Sequence, residues 1–236
     1  MTTKTETKQF QYEIQAYQED CVNNIISLFE SLHQKVNFGE VLTAHHKKNK
    51  YNFPVQDTKN IDIMMETGTG KTFTFIKTIF ELSKHFGYKK FIILIPTVPI
   101  REGTKTNLED TKDYFKSLYA NEKEKEIETF VYEGGNISAV RQFIGTSHLS
   151  VLVMTPSSFS HKDNILNRPL EKDINTPELF VNNQEPPKSY LECLKRLNPI
   201  VIMDEPHRFE GNAFKTYFEG FENYFLRFGA TFPKKK

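Results

Sequence analysis

The stretch Met64-Met65-Glu66-Thr67-Gly68-Thr69-Gly70-Lys71-Thr72 follows a short apolar run, Ile61-Asp62-Ile63-Met64-Met65, and opens a segment with helical spacing. A strand that passes through a glycine-bearing turn into a helix is a phosphate cradle. Backbone N–H groups of the turn and of the first helical turn point at the anion, and the positive end of the helix dipole favours it. Gly68 and Gly70 let the backbone curl tightly, and Thr67 and Thr69 complete the loop. Lys71 is spaced to reach the β- and γ-phosphates, and the Thr72 hydroxyl to ligate Mg²⁺. The implied ligand is a nucleoside triphosphate with Mg²⁺. One position departs from the strict phosphate-loop spacing: a glycine is expected five residues before Gly70, and this chain has Met65.

Outward from the loop, the pattern repeats strand, loop, helix. A helix is expected from about Lys71 to His85, ended by Gly87. Phe91-Ile92-Ile93-Leu94-Ile95 reads as a second strand, broken by Pro96-Thr97-Val98-Pro99 and followed by helical spacing from about Ile100 toward Tyr119. Phe130-Val131-Tyr132, Ser150-Val151-Leu152-Val153-Met154 and Ile200-Val201-Ile202-Met203 are further short apolar runs. Such runs alternating with helices are what a parallel sheet covered on both faces requires. Ahead of the loop, Ile14, Tyr17, Cys21, Ile25, Leu28 and Leu32 recur at spacings of three and four, which predicts an amphipathic helix from Glu13 to about Lys35. Residues 37–60 are polar and irregular and read as a surface connection; residues 161–188, with Pro169, Pro177 and Pro186-Pro187, read as a long loop.

In a parallel α/β sheet, ligands sit beyond the carboxyl ends of the strands. The phosphate loop follows one apolar strand and Asp204-Glu205 follows another, so both are expected at one rim. Asp204 suits the acid that holds Mg²⁺, and Glu205 the base that orients a water for attack on the γ-phosphate.

Composition adds bounds. The chain has 236 residues, 38% hydrophobic and 26% charged, enough for a real core. No apolar run approaches the roughly 20 residues that span a bilayer, and Met1-Thr2-Thr3-Lys4-Thr5-Glu6 is no signal peptide. The expected location is the cytoplasm, with no membrane partner. Cys21 and Cys193 lie far apart without ligand spacing, so neither a disulfide framework nor a zinc site is indicated. A net charge of +1 gives no vote for a polyanionic partner, and the basic clusters Lys47-Lys48-Asn49-Lys50 and Lys234-Lys235-Lys236 are too short to give one.

Taken together, Thr67-Gly68-Thr69-Gly70-Lys71-Thr72 resembles motif I, and Asp204-Glu205-Pro206-His207 motif II, of the DEAD/DEAH-box class of superfamily-two helicases and translocases, with Pro206 in place of the usual alanine. Within that class, Met65 to Thr72, Pro96 to Gly103, Asp204 to Phe209 and Phe228-Gly229-Ala230-Thr231-Phe232 together resemble the Res subunit of type III restriction enzymes. The resemblance implies a RecA-like P-loop NTPase lobe with a mostly parallel central sheet flanked by helices. It would be a single lobe over 1–236: a front helix and loop (1–60), a phosphate-loop core (61–160), a loop-rich insertion (161–198) and the Asp204 strand with motif III (199–232).

The resemblance also implies roles. Gln18 would read adenine, and Pro96, Thr97 and Arg101 (motif Ia) with Thr155 and Pro156 (motif Ib) would touch the nucleic-acid backbone. Gly229, Ala230 and Thr231 (motif III), with His207, would couple nucleotide state to nucleic acid. The cofactors implied are ATP and Mg²⁺, and the partners double-stranded DNA and the methylation (Mod) subunit of a type III restriction-modification system. A second lobe with its arginine fingers and a nuclease domain are expected to lie outside this chain, as in a truncated or excised lobe, so Mg-ATP hydrolysis by it alone is expected to be poor. Two other readings stay open on the residues: a DEAD/DEAH-box helicase of another branch, and a catalytically inactive module that binds a nucleotide or a partner.

Overall fold

The computed structural model describes residues 12–34, 37–50, 59–134, 137–155, 165–167, 170, 186–209, 218 and 220–232. Among them run six strands: β1 (Asn60–Met64), β2 (Lys90–Leu94), β3 (Glu128–Val131), β4 (Ser150–Met154), β5 (Ile200–Asp204) and β6 (Phe225–Gly229). They form one sheet in the order β1-β6-β5-β2-β4-β3, and every pairing is parallel. The expected RecA-like α/β architecture is the one observed.

The apolar runs explain the layering. Along β5, Ile200 and Ile202 join one core while Val201 and Met203 join the other, and β2 and β4 alternate in the same way. The first core is closed by α1 (Ala16–His33), α2 (Phe38–Lys48), α3 (Lys71–Phe86), α4 (Val98–Asp110) and α5 (Lys112–Leu118). The second is closed by α6 (Ser138–Gly145) and α7 (Tyr190–Arg196). Strands buried on both faces have no polar side to display, hence their uninterrupted hydrophobic sequence. The edge strand β1 differs: Ile61 and Ile63 are buried, whereas Asp62 and Met64 are exposed. Asp62 is held by a bidentate pair with Arg227, its register partner on β6.

Several boundaries depart from the sequence expectation. The polar stretch after residue 37 carries α2, whose N-terminus is capped by the Asn37 side chain accepting the Gly39 N–H at 2.9 Å. Its helix is anchored by Val41 and Leu42 in the core and by Phe38 stacked on Tyr224, few apolar residues but all on one side. The expected insertion over 161–198 contains α7, started by Ser189 accepting the Glu192 N–H at 3.2 Å; most of residues 156–185 lie outside the described residues. Pro99 does not delay α4, because a proline in the first helical turn loses no hydrogen bond. The helical segment toward Tyr119 is two helices that break at Thr111. In α1 the buried line is Gln18, Val22, Ile25, Ile26, Leu28 and Phe29, so Tyr17 and Cys21 flank the core rather than enter it.

Candidate functional site

Because all six strands are parallel, their carboxyl ends share one rim. β1 delivers the phosphate loop there, β5 delivers Asp204 and Glu205, and β6 delivers Gly229, Ala230 and Thr231. β2 and β4 bring Pro96-Thr97 and Thr155 to the same side. The register pairs Asp204 with Phe228, next to Gly229, and Met64 with Gly229, which fixes these loops beside one another.

The phosphate loop has the geometry its glycines allow. Gly68 and Gly70 sit at φ +84° and +77°, left-handed values that a side chain would strain. Gly70 caps α3, so Lys71 and Thr72 occupy the first helical turn. Thr69 donates its N–H to the Glu66 carbonyl at 3.3 Å and its hydroxyl to the same oxygen at 2.6 Å, which closes the loop as a tight turn. The Lys71 ammonium is buried and pairs with the Glu205 carboxylate at 2.8 Å.

The two acids differ in their surroundings. Asp204 is buried, and burial pushes its carboxyl up to about 6, with the adjacent Glu205 charge adding to the rise and Lys71 and Arg208 opposing it. Its Oδ1 is fully buried and lacks a hydrogen-bond partner among the described residues. A buried anionic oxygen without a donor is costly unless a cation or ordered water satisfies it. That oxygen therefore suits Mg²⁺, and Thr72, the expected hydroxyl ligand, lies in the first turn of α3. Among the described residues no three His, Cys, Asp or Glu side chains are grouped to hold a metal alone. A single carboxylate with a hydroxyl, waters and phosphate oxygens is a Mg²⁺ donor set, not a zinc one.

Glu205 occupies the left-handed region at φ +55°, rare for a residue with a side chain. Its N–H donates to the Phe228 carbonyl at 2.9 Å, which ties it to β6. His207 follows in a 3₁₀ turn, Pro206–Arg208. Its Nδ1 lies 3.1 Å from the Thr231 hydroxyl and 3.5 Å from Glu205 Oε2. Lys71, Glu205, His207 and Thr231 thus form a continuous polar chain from the phosphate loop to the end of β6.

The other candidates fall into place unevenly. Gln18 is buried rather than solvent-facing; it donates to the Thr69 carbonyl at 3.0 Å and its Oε1 accepts the Gln15 N–H at 3.1 Å. Thr97 caps α4 with extended backbone, and Thr155 is buried at the end of β4. Arg101 is buried, donating to the Tyr132 carbonyl at 3.2 Å and pairing with Glu102 at 2.8 Å. In this arrangement it braces α4 against the segment after β3 and turns no free guanidinium outward. Pro156 lies outside the described residues. Tyr17 belongs by its spacing to the apolar stripe, yet its hydroxyl donates to the Thr69 carbonyl at 3.1 Å. Spacing along a helix cannot reveal such a contact, because its acceptor lies 52 residues away.

Comparison with known proteins bears on the same residues. The sequence model of the family described as "Type III restriction enzyme, res subunit" matches residues 11–234. The chain is 34% identical over 211 residues to the Res subunit of the type III restriction-modification enzyme EcoP15I of Escherichia coli, covering 80% of this chain and 20% of that protein. It is 35% identical over 214 residues to the EcoPI Res subunit of Escherichia phage P1, covering 83% and 20%. The chain thus spans about a fifth of the length of these relatives. A solved structure of a nuclease-deletion mutant of the Type ISP restriction-modification enzyme LlaGI with a DNA substrate mimic aligns with 95% of this chain and 18% of its own, at 16% identity and a TM-score of 0.47, too distant to support an argument.

Proposed function

The chain belongs to the family of Res subunits of type III restriction enzymes, and from that premise we propose that it is the ATP-binding lobe of a motor that couples Mg-ATP hydrolysis to movement on double-stranded DNA. The observation that carries the reading is the meeting of Lys71 with Asp204-Glu205 at one rim, from segments more than 130 residues apart in sequence. An Asp-Glu pair at a strand end or a glycine loop alone is common; the two in contact make a phosphoryl-transfer site.

In this site Lys71 leaves Glu205 and neutralises the β- and γ-phosphate oxygens. Glu205 is then free to orient the attacking water and take its proton. Asp204 and Thr72 would hold Mg²⁺, which would supply positive charge against the charge that develops on the phosphates. Thr67, Gly68 and Gly70 present backbone N–H groups to the phosphates, Thr69 closes the turn that carries them, and Gln18 reads the adenine edge. His207 reports the position of Glu205 to Thr231, and so carries the nucleotide state to Gly229 and Ala230. Pro96, Thr97 and Thr155 form the edge that meets the DNA backbone, with Arg101 bracing α4 through the Tyr132 carbonyl. Membership of the family extends the proposal to a cytoplasmic type III restriction-modification assembly with a methylation subunit as partner.

Titration of the chain with a fluorescent ATP analogue, with and without Mg²⁺, tests the reading. Saturable binding that Mg²⁺ strengthens is the expected result. Binding that ignores Mg²⁺, or none, would turn the chain into an inactive partner-binding module instead.

A further inference from the structure

We propose that Tyr17 is a positioning residue for the phosphate loop, holding the Gly70 amide toward the phosphates through the carbonyl of Thr69. The inference rests on the ATP-site reading above and adds to it a residue outside motif I. Tyr17 is a large aromatic side chain left 50% exposed beside the buried line of α1, so core packing does not account for its placement. Its hydroxyl donates to the Thr69 carbonyl at 3.1 Å, and Gln18 Nε2 donates to the same oxygen at 3.0 Å. Both lone pairs of that carbonyl are therefore turned toward α1.

The planarity of the peptide gives this a consequence. In a trans peptide the carbonyl of residue 69 and the N–H of residue 70 point in opposite directions. Holding the Thr69 oxygen against α1 aims the Gly70 N–H away from α1, into the mouth of the loop where phosphate binds. The approach is close: a Cβ on residue 70 would lie 2.3 Å from Gln18 Nε2. Gln18 is also the residue proposed to read adenine, and a glutamine amide turned to the base has fewer donors left for the loop. Tyr17 has no second assignment, so its bond persists when Gln18 turns to the base. The two neighbours thus divide the work: Tyr17 sets phosphate affinity, and Gln18 sets base preference.

The test is Tyr17→Phe in the full chain, which removes one hydroxyl and keeps the ring. Affinity is measured for ATP, GTP and inorganic tripolyphosphate, with the melting temperature recorded alongside. The loss of one hydrogen bond to the loop predicts binding weaker by roughly three- to tenfold for all three ligands. The ATP-to-GTP ratio and the melting temperature stay at the wild-type values, and Gln18→Ala lowers that ratio. Wild-type affinity for tripolyphosphate in Tyr17→Phe overturns the inference, as does a loss confined to ATP, which would make Tyr17 a base contact. If the wild-type chain binds neither ATP nor tripolyphosphate, the ATP-site reading itself falls, which separates the two failures.

Discussion

Asp204 and Glu205 are adjacent in sequence yet live in opposite circumstances. Asp204 ends a strand whose five residues are all buried, and it keeps an oxygen without a donor among the described residues. Glu205 leaves the strand through a left-handed residue, a conformation that costs about 1–3 kcal/mol unless its surroundings hold it. The N–H bond to Phe228 and the Lys71 pair hold it here. The Asp204 carboxyl titrates at about 6 in the folded chain against an ordinary 3.8. Its protonated form is thus the one the fold favours: that stability is full below about pH 4 and is lost as the pH rises through about 6. Asp204→Asn keeps the neutral shape at every pH. It should melt higher than the wild type at pH 7, by about 1–3 kcal/mol of stability, with the difference vanishing near pH 4. Melting curves from pH 4 to 8 check this, and an equal gap at both ends would contradict it. The same variant should lose Mg²⁺-dependent nucleotide binding, so a site that favours function over stability would show both effects at once.

Between elements, the contact that matters most is the end of β6 against the turn after β5. A Cβ on residue 229 would meet Pro206 Cδ at 2.8 Å and the Thr231 carbonyl at 3.2 Å, so glycine is required by close approach. Pro206, the departure from the usual DEAD/DEAH alanine, is the group that makes the approach close. Gly229→Ala should therefore displace Thr231 from His207 and cost about 1–3 kcal/mol. Adding Pro206→Ala should recover part of that cost, because it removes the opposing ring. Thermal melts of the two single variants and the double variant measure the coupling; strict additivity would mean that the two residues do not press on each other. Elements were unevenly legible for reasons visible in single residues. β2, β4 and β5 announce themselves because burial on both faces demands uninterrupted apolar sequence. α2 and α7 were hidden because their apolar residues are few, although Asn37 and the Ser189-Tyr190-Leu191-Glu192 capping pattern marked their starts. The contacts of Arg101 and Tyr17 are not legible in the sequence because their partners, Tyr132 and Thr69, are neighbours only in the fold.

At the scale of the molecule, the parallel sheet is what gathers the site. It places the ends of β1, β5 and β6 side by side, so motifs from residues 64–72, 204–207 and 229–231 become one surface. The site motifs were legible before the fold because each was short and local: glycines before Lys71, acids after an apolar strand. Their contacts were not, since the 2.8 Å pair between Lys71 and Glu205 depends on strand order. The relatives run about four times the length of this chain, and full turnover is proposed to draw on the rest of such a protein. The central claim is that Lys71 binds the triphosphate of a Mg-nucleotide at this rim, and isothermal titration of Mg-ATP into Lys71→Ala, beside wild type and Glu205→Gln, tests it most directly. The account predicts heat of binding in the wild type, binding retained in Glu205→Gln because Lys71 is released to the phosphates, and none detectable in Lys71→Ala at a temperature where its melting curve shows the variant still folded. Equal affinity in Lys71→Ala and wild type would contradict it.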